Sequence, residues 1–390
     1  MLARLTLIIL LVASVSSAAP LTPDDAVRAA LENDPALAAR VADVDAAVGV
    51  RRESFLFQHN PEVDASRSTN GDRFEGTLVQ PLSISGEGFN AARSARATVD
   101  AAKAAAERAR FETAANTRRV YARAVLEREK LRFAEEDRVL LARLRGVAEA
   151  RVAAGEGIDL DLRLARLEQA RAMAAWLDAQ AEASAADADL AALIGALPGE
   201  LARDPLVAIA PELGEASPRS DLAATQAATR AAHATLARER SARLPAIGFG
   251  AFYEKDAGRE LYGPAVTFQV PLWRWNQSGV GAARGSLRLA KATEASTAAR
   301  AASEEARAAE RLRVAEESLA TLAPDLAAEA APALQAIERL FTSGEANLSD
   351  TLLLRSRVVE GERAWMEARA AVAVARIEVA LARQSMILLP

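Results

Sequence analysis

The spacing of apolar positions changes several times along the chain, and each period predicts an element. Leu5 to Val15 is an apolar run. Long stretches rich in Ala, Glu, Arg and Leu follow, interrupted twice by short alternating segments. Phe74, Gly76 and Leu78 mark the first, and Val266, Phe268 and Val270 the second. A period of two marks a half-buried strand, whereas long runs of good helix formers with few breakers mark helix. Helices are therefore expected over 22–57, 89–150, 160–194, 219–242, 280–343 and 349–386. Strands are expected over 62–68, 74–79, 246–253 and 262–270. Thr22-Pro23-Asp24-Asp25 is a helix start, with a capping hydroxyl, then Pro, then acids. Thr69-Asn70-Gly71-Asp72 and Lys255-Asp256-Ala257-Gly258 are turn chemistry joining the strands of each pair. Two of the helices run about 60 residues and would each reach roughly 90 Å. Pro324 and Pro332 are expected to kink or split the second of them. The fold class is mainly α with a small β contribution: four strands and two long antiparallel helical hairpins per chain.

The same markers occur twice in one order, which reads as an internal repeat. Val79-Gln80-Pro81-Leu82 is followed by Gly86 and by Ala91-Ala92-Arg93; Gln269-Val270-Pro271-Leu272 is followed by Gly279 and by Ala282-Ala283-Arg284. Pro81 with Gly86, and Pro271 with Gly279, therefore mark two strand-to-helix elbows. Further on, Ala154-Gly155-Glu156 matches Ser343-Gly344-Glu345, and Asp161 and Asp350 each lie six residues after their glycine. Arg166 then matches Arg355, and Trp176 matches Trp365. The expected organisation is a signal peptide over 1–18, a first repeat over 19–200, a linker over 201–216 and a second repeat over 217–390. Gly155 and Gly344 turn each long helix back into a hairpin. Around these turns Ala154, Ile158, Ser343 and Leu348 are small or apolar for exposed positions, so a helical partner could dock there.

Composition narrows the function. Arg4 before the apolar run and Ser16-Ser17-Ala18-Ala19 after it make a secretory signal, too short for a bilayer span of roughly 20 residues. No later segment is apolar enough for a membrane helix, so a membrane crossing by the mature chain would use strands. There is no Cys, hence no disulfide framework and no lipidated N-terminal Cys. The net charge of −5 gives no reason to expect nucleic acid as a partner. Four spanning strands leave two open sheet edges, which in lipid must close on other chains, so an oligomer is required. Aromatics are only 4% of the chain, yet Phe249, Phe252, Tyr253, Tyr262, Phe268, Trp273 and Trp275 fall in one span. Trp273 and Trp275 sit where a membrane-interface girdle belongs.

Enzyme chemistry finds no support. Gly86-Glu87-Gly88-Phe89-Asn90-Ala91 imitates a dinucleotide loop, but the helix after it is twice too long for a βαβ unit. His59 and His233 are the only histidines, and without Cys no metal cluster of soft ligands is available. No cofactor is expected. Glu304-Glu305 and Glu316-Glu317 read as solvated helix faces, and Trp176 and Trp365 as packing residues.

The repeated elbow, the Gly-x5-Asp turn and the duplicated strand–strand–helix unit resemble the TolC-type outer-membrane efflux family over nearly the whole mature chain. Pro271-Leu272, Asn276-Gln277 and Gly281 are similar to its CzcC/CusC-like cation-efflux branch. The resemblance implies an outer-membrane channel subunit of a tripartite efflux system, a passive exit duct. It implies a homotrimer with a twelve-stranded β-barrel in outer-membrane lipid and a periplasmic α-helical barrel. Its helical tips would dock to a periplasmic adaptor (membrane fusion) protein serving an inner-membrane pump of RND type; in the cation-efflux branch the cargo is heavy-metal cations. Asp350 matches an acidic residue lining the periplasmic entrance, and Asp161 its first-repeat counterpart. The family's arginine two residues after the second glycine is here Ala346, so the closing network must differ. Arg355 and Arg357 are the expected charge compensation for Asp350. The competing reading is a periplasmic helical-hairpin adaptor or scaffold protein.

Overall fold

A computed structural model describes residues 20–53, 60–68, 73–82, 85–202, 209, 211, 218–244, 246–256, 258–269 and 275–386. The signal segment, most of the linker, Pro271 and Trp273 lie outside these residues. Thr22 caps α1 (Pro23–Asn33), its Oγ1 accepting from the Asp25 N–H at 3.2 Å. The single helix expected over 22–57 is two, α1 and α2 (Pro35–Glu53). Asp34 between them is extended, as the residue before a proline tends to be, and its carboxylate accepts from the Ala36 N–H. Strands β1 (Glu62–Arg67) and β2 (Arg73–Leu82) follow, then α3 (Glu87–Ala153) and α4 (Asp159–Ile194). After the linker come α5 (Ser220–Ser241), β3 (Ala246–Asp256), β4 (Arg259–Gln269), α6 (Gln277–Ser343) and α7 (Leu348–Arg383). The long helices α3 and α6 both have 67 residues, and the return helices α4 and α7 both have 36.

Two expectations about proline change. α6 is helical through Pro324 and Pro332, so neither splits it. α7 packs antiparallel along this part of α6, which supports the helix across the missing N–H donors. Pro81 does not end its strand; it lies in β2 opposite Gly248. The β1 ladder ends at Glu62–Val79, so on that side Pro81 has no ladder bond to break.

The four strands form one antiparallel sheet in the order β1-β2-β3-β4, the central pair joining the two halves of the chain. β1 and β4 are its edges. The helices form a wall around α3 and α6. Near the sheet, α3 packs on α2 and α5, and α5 on α6; at the far end α3 packs on α4 and α7, and α7 on α6. Much of this wall closes on alanine: Ala114, Ala115, Ala122 and Ala124 of α3 and Ala373 and Ala380 of α7 have no exposed surface. Such small side chains let helix axes approach closely. The shorter helices meet end to end. Asn33 Nδ2, at the end of α1, donates to the Ile194 carbonyl at the end of α4 at 2.9 Å. Gln384, which ends α7, accepts from the Ser220 N–H that starts α5 at 2.6 Å and also pairs with the Ser220 hydroxyl. Each junction satisfies polar groups that helix ends leave open. Between them Arg118 of α3 donates to Asp24 and to the Ile209 carbonyl, and Tyr121 donates to the Leu21 carbonyl at 2.7 Å. These bonds strap the N-terminal segment and the linker onto α3.

Candidate functional site

The sheet has two unlike faces. The register puts Val63, Leu78, Ala251 and Pro264 in one row across the four strands, and Leu82, Ile247 and Phe268 in another across β2 to β4. Gln80, Phe249 and Val266 form a further row on the same face, and Phe74 meets Tyr253 there with ring centroids 6.2 Å apart. These apolar side chains are not covered by the chain: Val63, Phe249, Tyr262, Val266 and Phe268 are all at least half exposed or nearly so. At the turn end the band stops at the cross-strand pair Lys255–Glu260, 3.2 Å apart. The opposite face carries Glu62, Asp64, Ser66, Glu75, Thr77, Glu254 and Thr267 beside Val79, Phe252 and Leu261, with Arg73 paired to Glu75 and Glu254. A soluble sheet hides its apolar face; this one exposes it and keeps charge on the other side.

The elbows hold the sheet on the long helices. Gly86 is the N-cap of α3 and is left-handed, with φ 79°. In the second elbow the left-handed residue is Asn276, φ 48°, and Gly279 lies in the first turn of α6. Asn276 Nδ2 donates to the Glu239 carbonyl and carboxylate at 3.0 and 2.8 Å, which holds that carboxyl below its usual range, helped by Arg238. Gly279 has another function: a Cβ there would collide with both Asn276 and Glu239. Trp275, beside this elbow, is exposed.

The hairpin ends lie at the far end of α3 and α6. Gly155 and Gly344 have φ 76° and 84°, a region in which only glycine is unstrained. Arg151, in the last turn of α3, donates to the Phe341 carbonyl in the last turn of α6 and lies over the Phe341 ring at 4.8 Å. One cation thus sits in the last turn of α3 and caps the C-terminus of α6, where a positive charge is favoured. Ala154, Gly155, Ile158, Ser343 and Gly344 are exposed. Leu348 is not: it is 1% exposed and packs with Leu141, Leu144 and Phe341, so it contributes nothing to the outer surface of the tip.

Asp161 and Asp350 lie in the first turns of α4 and α7. The Asp350 N–H donates to Asn347 Oδ1 and its carboxylate accepts from Asn347 Nδ2, both at 2.8 Å, and the side chain remains exposed. Arg355 does not compensate it. That arginine turns inward and makes a two-pronged pair with Asp137 of α3, one bond 2.6 Å long, both side chains about 10% exposed or less, with Glu168 of α4 3.9 Å away. Its first-repeat counterpart Arg166 is exposed and reaches Glu149 at 3.2 Å. Trp176 and Trp365 are half-buried, each beneath an arginine, Arg138 at 5.3 Å and Arg369 at 4.4 Å.

Asp137 escapes sequence reading because it looks like any other charged helix residue; Arg151 could have been found as a basic residue in a helix's last turn. Among the described residues no three His, Cys, Asp or Glu are grouped to hold a metal ion, and no helix is long and apolar enough to cross a membrane.

No protein-family model and no curated protein matches this sequence. Solved structures do match in fold. The chain is similar to CusC, described for transmembrane channel formation, with 17% identity and a TM-score of 0.78 over 93% of this chain and 91% of that one. It is similar to the outer membrane protein VceC of Vibrio cholerae, with 18% identity and a TM-score of 0.72 over 93% and 96%. It is also similar to the open state of the MtrE outer membrane channel of Neisseria gonorrhoeae, with 17% identity and a TM-score of 0.75 over 93% and 88%. In its helical hairpins, its four-stranded sheet and the way the two are joined, the chain has the fold of the outer-membrane channel subunits.

Proposed function

We propose that the protein is a TolC-type outer-membrane channel subunit of a tripartite efflux system, a passive duct and not an enzyme. One observation carries this reading: a two-edged sheet, apolar and exposed on one face and charged on the other, held on hairpins of 67-residue helices. Lipid accepts the apolar face but not the open edges, so β1 of one copy pairs with β4 of the next. Three copies give twelve strands, enough for a lumen. The same ring brings the α4 flank of one copy to the α6 flank of its neighbour. The two repeats, 19–200 and 217–390, then contribute equally to strands and helical wall. The helical part lies in the periplasm and docks at its tips to an adaptor protein serving an inner-membrane pump of RND type. The scaffold reading leaves the exposed apolar sheet face without a use.

Fractionation of the producing cell tests this: the mature chain should appear in the outer membrane as a heat-modifiable trimer that conducts ions in planar bilayers. Recovery as a soluble periplasmic monomer would overturn it. Bulky replacements at Ala154 and Ser343 should abolish export with trimer and insertion intact if adaptors dock there. Heavy-metal cations are the proposed cargo, on the strength of Pro271-Leu272, Asn276-Gln277 and Gly281; deletion of the gene should sensitise the cell to such metals. Three exposed Asp350 carboxylates around one axis would favour cations at the entrance. Asp350→Ala should weaken cation selectivity and block by multivalent cations, and Asp161→Ala should do so less. Unchanged selectivity in Asp350→Ala would leave Asp350 as a helix-start residue.

A further inference from the structure

The two hairpins meet along α3 and α7, where apolar clusters such as Phe111 and Ala115 with Ile377 and Ala380 give way to charge pairs. Asp137–Arg355 closes it near the tip; higher up, Lys130 meets Glu367 at 3.3 Å and Arg369 stands 3.7 Å from Glu129. Between these contacts the seam is incomplete. One carboxylate oxygen of Glu129 on α3 and one of Glu362 on α7 are fully covered and have no hydrogen-bond partner. Arg369 is too far from Glu129 for a hydrogen bond, and its guanidinium lies over Trp365. A covered carboxylate without a donor is costly, and two such oxygens on facing helices repel.

We propose that Glu362 is a proton-operated clasp between the two hairpins: protonated, it ties α7 to α3, and ionised, it loosens them. A proton on Glu362 removes one of two like charges on facing helices and gives its covered carboxyl an O–H donor. The charged groups facing it are Arg369 on its own helix and Glu129, Arg132 and Glu136 on α3. Burial pushes the Glu362 carboxyl up from its ordinary value, Arg369 and Arg132 oppose this, and Glu129 and Glu136 add to it. It is the one carboxyl among the described residues with a resolved upward shift. A carboxyl raised in the packed state contributes stability that is complete below its ordinary value and is lost as pH rises through the raised one. The seam therefore tightens in acid. This goes beyond the channel reading; where that reading holds, the packing of the helical end follows the proton concentration around it.

Hydrogen exchange of the full-length purified protein tests it, followed along 355–369 at pH 5 and pH 8 after correction for intrinsic rates. Exchange in the wild type should be slower at pH 5 by about twofold or more. Glu362→Gln, neutral at both pH values and still able to donate, should be protected equally at both. Equal wild-type protection at the two pH values, or a difference that persists in Glu362→Gln, would overturn the proposal. Should that variant fail to fold, Glu129→Gln serves instead: removing the neighbouring charge should shrink the difference, and an unchanged difference counts against the clasp. Exchange is read whether or not the protein conducts, so this result and the channel reading stand or fall separately.

Discussion

At the residue scale, the most exacting contact is the Asp137–Arg355 pair. Two charges taken from water are held by each other, by two hydrogen bonds and by a nearby Glu168. Removing one partner leaves the other buried and unpaired, a loss of about 3–5 kcal/mol, whereas replacing both with apolar residues of similar volume is often close to neutral. Asp137→Leu and Arg355→Met should each lower the thermal midpoint sharply, and the double variant should recover most of it; additive losses would show that the pair is not the unit. The sequence showed Arg355 as the repeat match of Arg166 and, by its position shortly after Asp350, as a candidate to compensate that charge. The pairing was unreadable because its members are 218 positions apart on different hairpins. Gly155 and Gly344 were readable, since a left-handed residue between two antiparallel helices is a local demand.

Element boundaries followed the sequence to within a few residues and departed from it at proline and at the second strand turn, where Lys255 and Asp256 extend β3 instead of forming the turn. Pro35 separated two helices where one long pattern suggested a single helix, because the constraint on Asp34 acts locally. Pro324, Pro332 and Pro81 did not break their elements, because neighbouring helices or the end of a ladder absorb the lost donor. Pro332 is exposed within α6. Its replacement by Ala restores a helix N–H and removes a ring clash, and proline costs up to about 3 kcal/mol in a helix interior. Pro332→Ala should therefore raise the thermal midpoint; a fall would mean that α6 needs a bend there to follow α7. The helix junctions Asn33–Ile194 and Gln384–Ser220 had no sequence signature, since each cap serves a helix distant in the chain.

At the scale of the whole molecule, the proposed channel turns the apolar face of its sheet to lipid. Val266 and Thr267 are neighbours on β4 and point to opposite faces. An arginine on a lipid-facing strand position costs about 2–4 kcal/mol at the bilayer midplane, and one facing water costs little. Val266→Arg should reduce the amount of folded protein in the membrane, while Thr267→Arg should leave it unchanged and alter conductance. The reverse pattern would turn the sheet inside out. The order of the strands also governs how the molecule comes to exist. β2 and β3 are partners, yet the whole of α3, α4 and α5 lies between them in the chain. Helical hairpins close through short local loops, but the central strand pair must wait for that long connection to be drawn together. Until then each half carries a bare amphipathic β-hairpin, the kind of segment that aggregates. Biogenesis thus becomes a race between sheet completion and clumping, in which prefolded helices shorten the search and a holding chaperone would have two short strand pairs to shield.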